Sequence, residues 1–162
     1  MKTIIKNDLN IKEEDIKDVE IRVKAILINN LDEILFGYSY NCYQLIGGHV
    51  EEKEKLIETL KREITEEAGI TLEIPEKKPD AIYIEYLKNK KKVIYYYIIK
   101  CNEKINLKNT NYTKEEKIGN FNLRYIKIKD LKKEIIDNSK KYSDALVIAN
   151  EMLPVFKELG LI

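Results

Sequence analysis

Glu63, Glu66 and Glu67 lie three and four residues apart, with Arg62 directly before them. On a helix, at roughly 100° per residue, they share one patch about a turn long, beside the apolar stripe begun by Leu56 and Leu60. Carboxylates so close repel one another. They are relieved either by splaying into water among lysines and arginines, the usual state of a Glu-rich helix, or by closing on a divalent cation. Mg²⁺ or Mn²⁺ takes such oxygen ligands and brings phosphate-bearing substrates with it. Zinc would call for a Cys/His cluster, and the chain has one histidine, His49, and two separated cysteines, Cys42 and Cys101. Upstream stands Gly47-Gly48, where the lack of Cβ lets the backbone approach a ligand.

From Gly48 to Ile70 the chain reads G-x5-E-x7-R-E-U-x-E-E-x-G-U, with U a bulky aliphatic, on Gly48, Glu54, Arg62, Glu63, Ile64, Glu66, Glu67, Gly69 and Ile70. This segment resembles the signature of the Nudix hydrolase family, and every specified position is filled. The resemblance implies an α/β fold, an α/β/α sandwich around a central mixed sheet. It also implies hydrolysis of a nucleoside diphosphate linked to another moiety, by metal-assisted attack of water on phosphorus. Glu63, Glu66, Glu67 and the Gly47 carbonyl would then hold the metal, Mg²⁺ or alternatively Mn²⁺. Arg62 would orient neighbouring carboxylates and Glu54 would support the metal shell. Without the resemblance, Arg62 reads as an i, i+4 partner of Glu66 or Glu58, and Gly47 as a turn residue.

The general base differs among relatives, some using a motif glutamate such as Glu63 and others an acid from a distant loop. Here the loop acids are Glu115 and Glu116, and Glu116 is the preferred base, against the reading of both as a solvated loop end. Gly48 and Arg22 are expected at the substrate, although Arg22 could equally pair with a nearby acid. Tyr86 falls in the window where some relatives carry a tyrosine linked to diadenosine polyphosphates. With 11 tyrosines in the chain, it also reads as one more sheet-face ring. Many relatives have proline before the double glycine, whereas Ile46 stands here. The alternative function is a Nudix-fold module that senses a nucleotide without cleaving it, and the intact glutamate set favours catalysis.

The elements that must position these residues are legible from pattern. Glu20–Ile28 and Glu33–Phe36, joined through Asn29-Asn30, read as a β-hairpin, and Tyr43–Ile46 as a short strand running into the glycines. Leu56, Ile57, Leu60, Ile64 and Ala68 recur at helical spacing without Gly or Pro, and Gly69 follows as a cap. Thr71–Ile74 reads as extended. Ala81–Leu87 and Val93–Cys101 form a second hairpin with a solvated lysine-rich tip from Lys88 to Lys92. Asn102–Asn120 reads as a long loop, Phe121–Ile128 as a strand and Lys129–Ile136 as a short helix. A last helix starts at Ser143, with Pro154 as a kink or break.

At 162 residues, 44% hydrophobic and 35% charged, the chain suits one domain with a real core and excludes general disorder. A net charge of +1 gives no long-range field, so a general nucleic-acid partner is not expected. Residues 1–10 lack the apolar stretch of a secretory leader, and Val93–Ile99 is too short to span a bilayer. No membrane partner is expected, and the cytoplasm is the expected setting. The expected partner is a small nucleoside diphosphate derivative, with homodimerisation through the apolar C-terminal helix as a further expectation.

Overall fold

The computed structural model describes residues 1–162. Its central strand, β2 (Asp18–Ile28), alternates between two faces. Val23, Ala25 and Leu27 pack with Ile57, Leu60 and Ile64 of α1 (Leu56–Ala68). Ile26, on the other face, packs with Leu131 and Ile135 of α3 (Ile128–Ser139) and with Met152, Val155 and Phe156 of α4 (Ser143–Glu158). Helices therefore cover both faces of the sheet, the expected α/β/α sandwich. Each fully buried Leu or Ile adds about 1.5–3 kcal/mol, so this packing holds α1 more firmly than intrinsic helix propensity does.

The sheet is mixed and has seven strands. β2 pairs in parallel with β6 (Lys90–Lys100) along its whole length, from Asp18↔Lys90 to Ile28↔Lys100. β6 pairs antiparallel with β5 (Ala81–Leu87), the second hairpin. On its other edge β2 meets β3 (Glu33–Ser39) at one position, Ile28↔Ile34. Past that point β3 pairs with β4 (Cys42–Leu45) and β7 (Asn122–Lys127), while β2 is bordered by the glycine segment. There the Ala25 amide donates to the Ile46 carbonyl and the Val23 amide to the Gly48 carbonyl. Both glycines are thus seated against the middle of the sheet.

Several local expectations need correction. Lys2–Lys6, which carried no sequence signal, forms β1 and adds in parallel to β5. Thr71–Ile74 joins no strand; it carries Ile74 into the core on the α1 side. The hairpin turn is only Lys88-Asn89, because Lys90–Lys92 belong to β6 and pair with Glu20, Glu13, Glu85 and Glu151. The long loop contains a 3₁₀ turn at Leu107–Asn109 and a short helix, α2 (Lys114–Ile118), capped by Thr113. Pro154 does not break α4, since Met152, Val155 and Phe156 anchor both of its halves and outweigh the roughly 3 kcal/mol cost of an interior proline. That stripe is consumed by the core, which leaves Leu146 and Val147 as the exposed apolar residues of α4. No helix is long and apolar enough to cross a membrane.

The cap of α1 is what the sequence suggests. Gly69 takes φ +67° and its amide donates to the Thr65 carbonyl, while a Cβ there would lie 1.8 Å from the Asn106 carbonyl oxygen. Gly69→Ala combines left-handed strain with a backbone clash and is expected to destabilise the fold by roughly 2–4 kcal/mol. Denaturant unfolding measures this, and an unchanged midpoint would refute the assignment.

Candidate active site

Gly47 has φ +134°, and a Cβ on it would stand 2.2 Å from the Val23 carbonyl oxygen, so only glycine lets the chain turn so close to β2. The turn points both of its peptide groups to use. The Gly47 amide donates to Glu67 Oε2 at 2.8 Å, and its carbonyl accepts from Lys24 Nζ at 2.6 Å. Gly48 brings the backbone against the acidic helix, where a Cβ would fall 2.3 Å from Glu63 Oε1. Glycines and glutamates are therefore one construction.

On α1, Arg62 gathers the carboxylates. Its guanidinium donates to Glu54 at 2.8 and 3.0 Å, to Glu63 at 2.8 Å, to Glu66 at 3.2 Å and to the His49 carbonyl at 3.2 Å. The buried Thr59 hydroxyl adds a 2.8 Å bond to Glu54. The Arg62 bond holds the Glu54 carboxyl at about 2, well below its ordinary value. Burial has the opposite effect on the other two acids. It raises Glu63 despite Arg62, and lifts Glu67 to about 8 against the pull of Lys24 and the Gly47 amide.

A cavity of about 610 Å³ is lined by α1 and also by α2, through Glu115 and Glu116. The Thr113 amide donates to Glu116 Oε2 at 2.6 Å and the Glu116 amide to the Thr113 hydroxyl at 3.2 Å, a reciprocal cap. The β3–β4 turn ties this helix down. The Tyr40 amide and the Ser39 hydroxyl both donate to the Gly119 carbonyl, at 3.1 and 3.2 Å.

Of the residues singled out in the sequence, Arg22, Gly47, Gly48, Arg62, Glu63, Glu66, Glu67 and Glu116 line this cavity. Glu54 stands behind Arg62. Arg22 pairs with Glu20, as one of its readings has it, and it also lines the cavity. Burial opposes ionisation of Glu20, yet its ion pairs with Lys90 and Arg22 hold it at about 2. Tyr86 is a correction, since it lies outside the cavity. Its hydroxyl donates to Glu13 at 2.8 Å and Lys91 stands 5.5 Å over its ring, because its place near the end of β5 faces the 3₁₀ turn at Glu13–Asp15. Lys24 was missed. A lysine flanked by Val23 and Ala25 in an aliphatic strand was the available signal.

The donor set is hard oxygen throughout, as a divalent cation of the magnesium kind requires. Glu67 is a buried carboxyl whose charge is only partly compensated, which is the condition a bound cation would relieve. No three acids already form a closed cage, for Arg62 draws Glu63 and Glu66 to itself and the Gly47 amide holds Glu67. The residues fit a cation that takes over bonds now made within the chain.

Over 63 residues the chain is 38% identical to the 8-oxo-dGTP diphosphatase of Buchnera aphidicola subsp. Acyrthosiphon pisum (strain APS), a stretch covering 39% of this chain and 48% of that protein. The match thus spans about half the length of that relative. The fold is like that of the MutT protein from Methanosarcina mazei Go1 (TM-score 0.52, 22% identity, 70% of this chain and 80% of the other). It is also like that of the MutT protein from Bacillus halodurans (TM-score 0.53, 24% identity, 70% and 72%). A model of the NUDIX domain matches residues 20–146, most of the chain and the whole of the glycine turn, α1 and α2, and the chain accordingly belongs to the NUDIX domain family.

Proposed function

We propose that this protein is a Mg²⁺-dependent pyrophosphohydrolase that cleaves a nucleoside diphosphate linked to another moiety. The observation that carries the reading is Glu67. Its side chain is buried, tied to the Gly47 amide at 2.8 Å, and opens with Glu63 and Glu66 onto one polar cavity. Glu63, Glu66, Glu67 and the Gly47 carbonyl would hold the metal. Once bound, the metal would neutralise the diphosphate and acidify the attacking water.

The chain's own groups supply the rest. Arg62 and Glu54 keep the α1 carboxylates aligned, and Gly48, having no Cβ, lets the Glu63 carboxylate close against the backbone where a substrate phosphate would approach. Glu116, which lines the same cavity, would take the proton of the attacking water. Arg22 offers a guanidinium to a phosphate oxygen.

The name of the Buchnera relative puts oxidised purine nucleoside triphosphates first among substrates to try. Release of phosphate products should be followed with Mg²⁺ or Mn²⁺ over 8-oxo-dGTP, ordinary dNTPs, nucleotide sugars, ADP-ribose, dinucleoside polyphosphates and coenzyme A. Metal-dependent cleavage of at least one class, abolished by chelator, is the expected result. Binding without cleavage across the panel would replace the enzyme by the nucleotide-sensing module.

A further inference from the structure

Lys24 sits on the face of β2 that looks toward α4, on the stretch that the glycine segment borders. Other lysines under α4 are matched by acids. Lys92 lies 2.8 Å from Glu85 and 2.9 Å from Glu151, and Lys6 lies 2.9 Å from Glu85. Lys24 has no such partner. Its Nζ donates to two carbonyls, Leu45 at 3.0 Å and Gly47 at 2.6 Å, and an ammonium has three hydrogens to give. One donor and most of the charge are left over. The residue lines the main cavity and also a smaller one of about 210 Å³ beneath α4 that contains Glu151 and Gln44.

Glu67 and Glu151 pull on this ammonium from beyond contact distance, but no carboxylate touches it, and a half-buried cation held by carbonyl dipoles gains from an anion that completes its third hydrogen bond. The Leu45 carbonyl, which is not among the metal's ligands, holds the ammonium in place even when a metal takes the Gly47 carbonyl, so little side-chain freedom remains to be lost when a ligand arrives. Arg22, two residues back on the same face, is already paired with Glu20 and is less available.

Resting on the functional reading above, we infer that Lys24 is a substrate-binding residue whose third hydrogen is donated to a non-bridging oxygen of the diphosphate. In the cleavage step the water oxygen forms the new bond to phosphorus, and one water proton passes to a carboxylate. The anhydride P–O bond breaks with its electron pair left on the departing phosphate. Lys24 keeps its proton throughout and supplies only a fixed positive charge.

The test uses the full chain with Lys24→Met, which keeps length and loses charge, and Lys24→Gln, which can still donate to both carbonyls. Inorganic pyrophosphate is titrated calorimetrically in the presence of Mn²⁺, and Mn²⁺ alone is titrated into the substrate-free protein. One charge-assisted hydrogen bond is worth at least about tenfold in affinity, so both variants should bind pyrophosphate at least about tenfold more weakly. Because Lys24 now occupies the Gly47 carbonyl that the metal would take, their Mn²⁺ affinity should be no weaker than that of wild type. Pyrophosphate binding at wild-type strength overturns the inference. So does a parallel loss of Mn²⁺ binding, which would make Lys24 a brace for the glycine turn, as would a cooperative melt lost in both variants. Wild-type protein that binds Mn²⁺ but neither pyrophosphate nor any nucleotide overturns the functional reading, a result distinct from a failure confined to the variants.

Discussion

Glu67→Gln is expected to lower turnover by at least about a hundredfold, since even residues that merely orient metal ligands are worth about ten- to a hundredfold. The same change should leave the metal-free protein at least as stable as wild type. Glutamine retains an oxygen to accept from the Gly47 amide, the 2.8 Å bond that seats the side chain, and it removes a buried charge. The sign follows from linkage. Burial raises the folded Glu67 carboxyl to about 8, above its value of 4.5 in the unfolded chain. Between those values the folded state holds the extra proton, so metal-free wild type loses stability as pH rises through the window. The variant should lack that slope, and whereas Mg²⁺ is expected to stabilise wild type at pH 8, it should not stabilise the variant. Melting curves in chelator and in Mg²⁺, over pH 4.5–8.5, check all three statements. A variant with the wild-type pH slope would show that the charge lies elsewhere.

Much of this site was legible because it is local. The signature from Gly48 to Ile70 is continuous in sequence, and helical spacing alone brings Glu63, Glu66 and Glu67 together. What escaped was non-local. β1 exists only because β5 offers an edge to it some eighty residues away, and nothing in Lys2–Lys6 announces that partner. Lys90–Lys92 look like a solvated tip until the parallel register of β2 and β6 sets Glu20 opposite Lys92 and brings Lys90 to its carboxylate. Lys24 escaped for the same reason, since its partners are carbonyls of Leu45 and Gly47 on another strand and its turn. Tyr86 shows the reverse error, a marker chosen by counting along the chain that points away from the cavity once β5 is placed.

These cases divide the fold into two kinds of information. Glu54 and Arg62 are eight residues apart on one continuous segment, so a short stretch carries both the pair and its 2.8 Å contact. Glu116 and Glu67 line one cavity because Tyr40 and Ser39 tether the end of α2 through Gly119 and the Asn111 amide donates to the Glu66 carbonyl at 2.8 Å, contacts between segments that lie far apart in sequence. The α1 carboxylates of the proposed site are thus encoded in a peptide-length motif, and the placing of Glu116 beside the same cavity in tertiary structure.

Arg62 is where that local half is most exposed to a single change. Its guanidinium serves Glu54, Glu63, Glu66 and the His49 carbonyl at once, a geometry open to a planar fork and not to a point charge. Arg62→Lys should therefore be almost as impaired as Arg62→Ala, with turnover down by roughly ten- to a hundredfold in both, because Glu63 and Glu66 lose the bonds that align them. Arg62→Ala should also cost about 2 kcal/mol at pH 7, between the values for exposed and buried pairs, as the network is partly solvated. The cost has a defined pH dependence. The Arg62 bond holds Glu54 at about 2 in the folded protein against 4.5 unfolded, so its contribution is fully present above pH 4.5 and fades as pH falls toward 2. Wild type and Arg62→Ala should accordingly converge in stability on acidification, and a gap that persists unchanged at pH 2.5 would assign the loss to packing of the arginine stem instead of to its charge.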